Sequence, residues 1–97
     1  MAFVVTAQWN AVPGEEHRIA EVIKIMTPLS REEPKNLYYQ ASVDPEDATR
    51  FFLFEIYEDA QGYEDHKAST YFQEHVFGYA IEYLAERIIK TYETIDV

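Results

Sequence analysis

The stretch Thr49–Phe72, T-R-F-F-L-F-E-I-Y-E-D-A-Q-G-Y-E-D-H-K-A-S-T-Y-F, constrains the fold more than any other. Phe52, Phe54 and Ile56 alternate with Phe51, Leu53, Glu55 and Tyr57, which is the period of a strand. The apolar run stops at Glu58-Asp59. Asp59 and Ser69 are residues whose side-chain oxygens accept from the free amides at a helix start, so a short helix is expected between them. Tyr63 and His66, three apart, then fall on its sheet-facing side. Beyond Ser69, Phe72, Val76, Phe77, Ala80, Ile81 and Leu84 repeat at three and four, and predict one long helix from Thr70 to around Arg87.

The remaining elements follow from the same rules. Phe3 to Asn10 is β-branched and aromatic and reads as a first strand, punctuated by Pro13-Gly14. Glu15 and Glu16 suit the positive end of a helix dipole, and Ile19, Val22, Ile23 and Met26 supply an apolar stripe. Proline disfavours helical geometry in the residue before it, so this helix is expected to end near Pro28. Leu37 to Val43 is the second strand, and Asp44-Pro45-Glu46-Asp47 is a polar turn before the third, which starts at Arg50. Ile88 to Val97 returns to an extended composition as the last strand.

The order strand, helix, strand, strand, helix, strand is the split βαβ arrangement of an α+β, ferredoxin-like domain spanning residues 1–97. Both helices would cover one face of a four-stranded antiparallel sheet. The other face, roughly 400 Å2 from strand rise and spacing, is near the largest apolar patch a monomer leaves bare. No further element is available to cover it. A homodimer is therefore expected, two sheets packing face to face into a dimeric α/β-barrel, and a carboxylate such as Glu55 on a covered face needs a partner or a raised pKa.

Composition removes several classes of function. Eight basic against 18 acidic residues, net −10, argue against nucleic acid and anionic membrane as partners, since both are bound through basic patches. With no cysteine there is no disulfide frame and no thiolate chemistry, which fits a cytoplasmic home. Apolar runs fall short of the roughly 18 residues that span a bilayer, and Met1-Ala2-Phe3 leads straight into a strand pattern without a basic leader segment.

His66 is the first candidate for chemistry, because an imidazole can take a proton from a bound phenol or enol and return it. The plain alternative is a half-buried histidine bonded to a backbone carbonyl. His75 reads as a solvated helix position. His66, Glu74 and His75 form no metal-ligand spacing, so no metal is expected, and Gly14, Gly62 and Gly78 stand alone, without a phosphate-binding loop. Aromatics are abundant, and Trp9, Tyr38, Tyr39, Phe52, Phe54, Tyr57, Tyr63, Tyr71 and Phe72 would either fill a core or line a pocket for a flat ligand.

Taken in order, Arg50, Phe51 to Phe54, Glu55, Tyr57, Asp59, Tyr63, His66, Ser69 and Phe72 resemble the antibiotic biosynthesis monooxygenase domains, which include quinol monooxygenase-like proteins. Glu33-Pro34, Asn36-Leu37 and Tyr39 resemble that family's lead into the second strand. Two departures stand out. Lys35 occupies a position where the family often has glycine, and Thr70-Tyr71 one where it often has Pro-His. In the family's haem-degrading branch an iron-binding histidine lies on the long helix; here that position is Val76, with His75 one step off its face, which disfavours haem degradation.

The resemblance implies a dimer that oxidises phenols, hydroquinones or anthrones with O2, without cofactor. On that basis His66 is the expected proton acceptor, Tyr71 and Tyr57 are hydrogen-bonding groups, and Trp9, Phe54, Tyr63 and Phe72 are substrate-binding walls. Two other functions compete. One is an isomerase or decarboxylase of a small enolisable metabolite, favoured if Arg50 or Arg18 turns inward; the other is a non-catalytic dimer that binds an aromatic ligand.

Overall fold

A computed structural model describes residues 1–96; Val97, the expected end of the last strand, lies outside the described residues. The chain runs β1 (Phe3–Ala11), α1 (Glu16–Arg31), β2 (Asn36–Asp44), β3 (Asp47–Tyr57), α2 (Ala60–Ala68), α3 (Thr70–Phe72) and β4 (Leu84–Glu93). A π-turn (Gln73–Phe77) and a 3-10 turn (Ala80–Tyr83) connect α3 to β4. The sheet is antiparallel in the order β2-β3-β1-β4, so the expected α+β ferredoxin-like fold is present. No helix of the described residues is long and apolar enough to cross a membrane.

Pairing of β1 with β3 (Ala7 opposite Leu53, Val5 opposite Glu55) puts two residue sets on opposite faces. Val5, Ala7, Trp9, Phe51, Leu53, Glu55 and Tyr57 are buried beneath the helices. Helix α1 lays Ile19, Val22, Ile23 and Met26 on this layer, and Ile19 is fully buried, worth about 1.5–3 kcal/mol for such a side chain. Tyr38, Phe52, Phe54 and Ile56 point the other way and line an open groove, with Tyr38 and Phe52 almost half exposed.

Strand β3 starts at Asp47, inside the expected polar turn, rather than at Arg50, and β4 ends at Glu93; two further boundaries differ more. Helix α1 continues through Pro28 to Arg31. The missing amide of Pro28 removes one helical bond, but the extra turn buries Ser30 and lets Arg31 donate from Nε and Nη2 to the Tyr39 carbonyl at 3.0 and 2.8 Å. Those tertiary contacts outweigh the local preference. They also occupy the outer edge of β2, which would otherwise be open to pairing.

The long helix expected from Thr70 to around Arg87 is not formed, and the last strand begins at Leu84 rather than Ile88. After α3 the helix widens, the Gly78 amide donating to Gln73 O, five residues back. A Cβ on Gly78 would meet the Glu74 carbonyl at 2.5 Å, so only glycine closes this turn. Val76 and Ala80 still reach the core, which is why their spacing mimics a continuous helix. The backbone beyond is taken by β1, where Val12 N–H donates to Tyr83 O and Ala11 pairs with Leu84. Arg18 secures the turn from α1, donating to Tyr79 Oη at 2.9 Å and lying 4.6 Å from the centre of the Tyr83 ring.

Candidate active site

Three short segments converge on His66. Alternation along β3 places Glu55 and Tyr57 on the helix side of the sheet. The turn after α1, closed by Asn36 N–H to Glu33 O at 3.0 Å, presents Glu33. Helix α2 is capped as the sequence predicts: Asp59 Oδ1 accepts from Gly62 N at 3.1 Å while Lys35 Nζ holds Oδ2 at 2.7 Å. Gly62 lies so close to β3 that a Cβ there would stand 2.9 Å from the Cβ atoms of both Lys35 and Tyr57. This close approach drives Tyr63 and His66 into the sheet. Ser69 then ends α2 and starts α3, donating to His66 O at 2.7 Å and accepting from Phe72 N at 3.2 Å.

His66 is 2% exposed, more deeply buried than the half-buried position expected, and its partner is a carboxylate rather than a backbone carbonyl. Nδ1 stands 2.8 Å from Glu33 Oε2, and the hydroxyl of Tyr71 donates to the same oxygen. Ionised carboxylate oxygens accept only, so Nδ1 carries the proton and, in the neutral ring, the lone pair lies on Nε2. Nε2 lies 3.9 Å from Glu55 Oε1, beyond a direct hydrogen bond, and that oxygen accepts from Tyr57 Oη at 2.6 Å. The two carboxylates thus serve opposite nitrogens of one ring and do not converge on an ion; among the described residues no group of three ligands is placed to hold a metal.

Burial sets the electrostatics. It pushes the Glu55 carboxyl above the usual carboxylate range, with the His66 ring in its protonated form and the Tyr57 hydroxyl pulling partly back. Tyr57 and Tyr39 are raised far above a free phenol, first by burial and then by the charge of Glu55; Tyr71 is raised by burial and by its bond to Glu33. All three phenols remain protonated near neutral pH. Tyr57 and Tyr71 donate to Glu55 and Glu33, and the Nε2 lone pair of His66 is a group able to accept a proton.

Around the imidazole lie Phe72, edge-on with ring centres 5.0 Å apart, Tyr39 and Tyr57 at 5.8 Å, and Tyr63 stacked at 6.5 Å. Trp9, Tyr63, His66 and Phe72 line one narrow cavity with Tyr39, Glu55 and Arg87, of about 10 Å3, the space of a single water molecule. Of the residues expected at the site, His66, Tyr57, Tyr63, Phe72 and Trp9 come together and Tyr71 joins them through Glu33. Phe54 does not: it sits on the opposite face of the sheet, in the groove with Phe52 and Ile56, because its place in the alternation is out of step with Glu55.

Sequence reasoning missed four members. Glu33 was visible as the start of Glu33-Pro34, Glu55 as a lone charge in an apolar run, and Tyr39 as one aromatic among many. Arg87 carried no signal, since the expected helix would have ended on it. Neither Arg18 nor Arg50 turns into the cavity: Arg18 is held by Glu15 and Tyr79, and Arg50 faces Asp47 at 4.0 Å. Lys35 adopts a negative φ, so this departure from glycine brings no backbone strain. His75 is half-buried on the π-turn.

The same fold recurs in solved structures. PA3566 from Pseudomonas aeruginosa is 22% identical, with 98% of this chain and 95% of that chain covered at a TM-score of 0.90. Rv0793 from Mycobacterium tuberculosis is 16% identical, covering 100% and 98% at 0.91. A protein from Nitrosomonas europaea, provisionally named an antibiotic biosynthesis monooxygenase, is 20% identical, covering 97% and 90% at 0.91. No curated protein matches the sequence at a significant level. These identities speak for the fold alone, whereas the family model for antibiotic biosynthesis monooxygenase matches residues 2–76 directly. With that match over most of its length, the chain belongs to the antibiotic biosynthesis monooxygenase family.

Proposed function

We propose that the protein is a cofactor-independent monooxygenase that oxidises a phenol, hydroquinone or anthrone-type aromatic with O2. Family membership supports a monooxygenase at the general level. The observation that carries the finer reading is the His66–Glu33 pair: a proton-accepting imidazole, oriented by a carboxylate, enclosed by aromatic rings. His66 Nε2 takes a proton from the substrate, and Glu33 stabilises the resulting imidazolium. The electron-rich anion then reduces O2 and forms a carbon–oxygen bond, giving a hydroperoxide. For an anthrone-type methylene, loss of water completes the change CH2 + O2 → C=O + H2O, in which the substrate supplies all four electrons. The present cavity admits one oxygen-sized group, so a ring enters only as the side chains around it give way.

The open face supports a homodimer, since Tyr38, Phe52, Ile88 and Tyr92 are each more than a third exposed on it. Sedimentation should give twice the monomer mass at micromolar concentration; a folded monomer there would contradict this assembly.

The deciding experiment is O2 uptake by metal-free protein on dithranol and on 1,4-naphthohydroquinone, with autoxidation subtracted. Saturable uptake is expected, falling by about 100- to 10,000-fold in His66→Ala, the contribution typical of general base catalysis. Uptake that is unchanged in His66→Ala, or absent for every compound that binds, would sink the reading. One observation favours an isomerase or decarboxylase of an enolisable metabolite instead, namely the guanidinium of Arg87 at the cavity. Turnover without O2 consumption would select it.

A further inference from the structure

Two hydrogen-bond donors at the cavity are not used by the chemistry above. Trp9 and Arg87 are direct partners between β1 and β4, on the helix-facing side, and both line the cavity with His66. Trp9 is only 4% exposed, yet its Nε1–H has no acceptor, and the Nε–H of Arg87 is buried without one as well. Leaving a buried donor unmet is costly, and more so for a charged group. Such an arrangement persists where an acceptor arrives from outside the chain. The guanidinium packs near the Phe77 ring, Cζ lying 5.6 Å from its centre, and its charge reaches both Glu55 and Tyr63. Glu55 Oε1 already accepts from Tyr57. The open space is the size of one oxygen atom with its hydrogens.

We propose that Trp9 Nε1 and Arg87 Nε form a donor pair that receives an anionic oxygen of the ligand, so that the site selects planar hydroxy-carbonyl compounds whose charge is shared with a second oxygen. This rests on the reading of His66 as the base. His66 Nε2 takes the hydroxyl proton, only the O–H bond breaks, and the electron pair stays on the ligand. Delocalisation carries the charge to the second oxygen, where Arg87 balances it and Trp9 adds a neutral hydrogen bond. An uncharged ring of equal size gains neither contact. The selectivity therefore comes from charge and donor placement, not from the aromatic walls.

The test compares 2-hydroxy-1,4-naphthoquinone, ionised at neutral pH, with uncharged 1,4-naphthoquinone, each titrated into the purified full chain and followed by ligand absorbance. The ionised compound should bind at least about tenfold tighter, and its midpoint of ionisation should move to lower pH on binding. Arg87→Met should bring the two affinities together and abolish that movement. Trp9→Phe should weaken only the ionised compound, by severalfold, and it carries the test should Arg87→Met fail to fold by circular dichroism. Equal affinities in the parent protein, no binding of either compound, or a preference that survives both substitutions would overturn the proposal. O2 uptake separates this from the oxygenase reading: anion preference without uptake keeps the donor pair and removes the oxygenase, and uptake without preference does the reverse.

Discussion

Beneath α1 the helix layer rests on the sheet through aliphatic side chains, Ile19, Val22 and Met26 against Ala7, Ala11 and Leu53, all nearly fully buried. Beneath α2 the contacts are aromatic and ionisable: Tyr63 on Val5 and Tyr57, with His66 between Glu33 and Glu55. Both halves are buried, but at different cost. Apolar burial under α1 is favourable throughout, whereas each carboxylate under α2 must be matched by a donor to be tolerated there. The aliphatic half under α1 holds the fold, and the half under α2 carries the ionisable groups. Helix α2 is also the layer able to yield, because only Gly62, Tyr63 and His66 of that helix are buried.

The contrast can be broken most strongly from the α1 side. Ile19→Ala should lower unfolding free energy by about 2–5 kcal/mol in a denaturant titration, through lost burial and the cavity left behind. Activity per folded molecule should survive; a loss of activity without loss of stability would mean that the two halves are not separable. Gly62→Ala is the counterpart on the α2 side. The added methyl meets Lys35 and Tyr57, so α2 must lift, with an expected destabilisation of about 1–3 kcal/mol and a larger proportional loss of ligand binding. Equal stability and unchanged binding would show that α2 is not held by this close approach.

The smallest effect is one of pH. Burial raises the Glu55 carboxyl in the folded state, so the folded protein binds that proton more tightly than the unfolded chain does. Its contribution to stability is therefore full below the ordinary carboxylate range and is lost as pH rises through the raised folded value. Glu55→Gln, which keeps an acceptor for Tyr57, should flatten this decline and leave the variant relatively more stable toward neutral pH. Melting temperatures measured from acid to neutral pH check it, and an unchanged slope would place the carboxylate in water rather than in the core.

Much of this site is readable in the chain because it is encoded locally. The caps Asp59 and Ser69 and the spacing of Tyr63 and His66 fall within a few residues of one another, and the structure bears them out. The period of two likewise put Glu55 and Tyr57 on one face, and should have put Phe54 on the other. Its assignment as a wall followed aromatic character where alternation was the better guide. Arg87 was lost for a different reason, since the spacing of Val76 and Ala80 is met equally by a helix and by the π-turn and 3-10 turn actually formed.

Periodicity and caps within single segments were enough to determine the order of elements, the antiparallel sheet and the inward side of α2. These depend on hydrogen bonds and side-chain directions that repeat within one or two turns of chain. Only the tertiary structure decided that Glu33, 33 positions away, holds the Nδ1 atom of His66, that α1 passes through Pro28, and that β1 claims the backbone from Leu84 onward to bring Arg87 beside Trp9. Each outcome is a competition between a local preference and contacts from distant segments. No local pattern carries the strength of the distant partner.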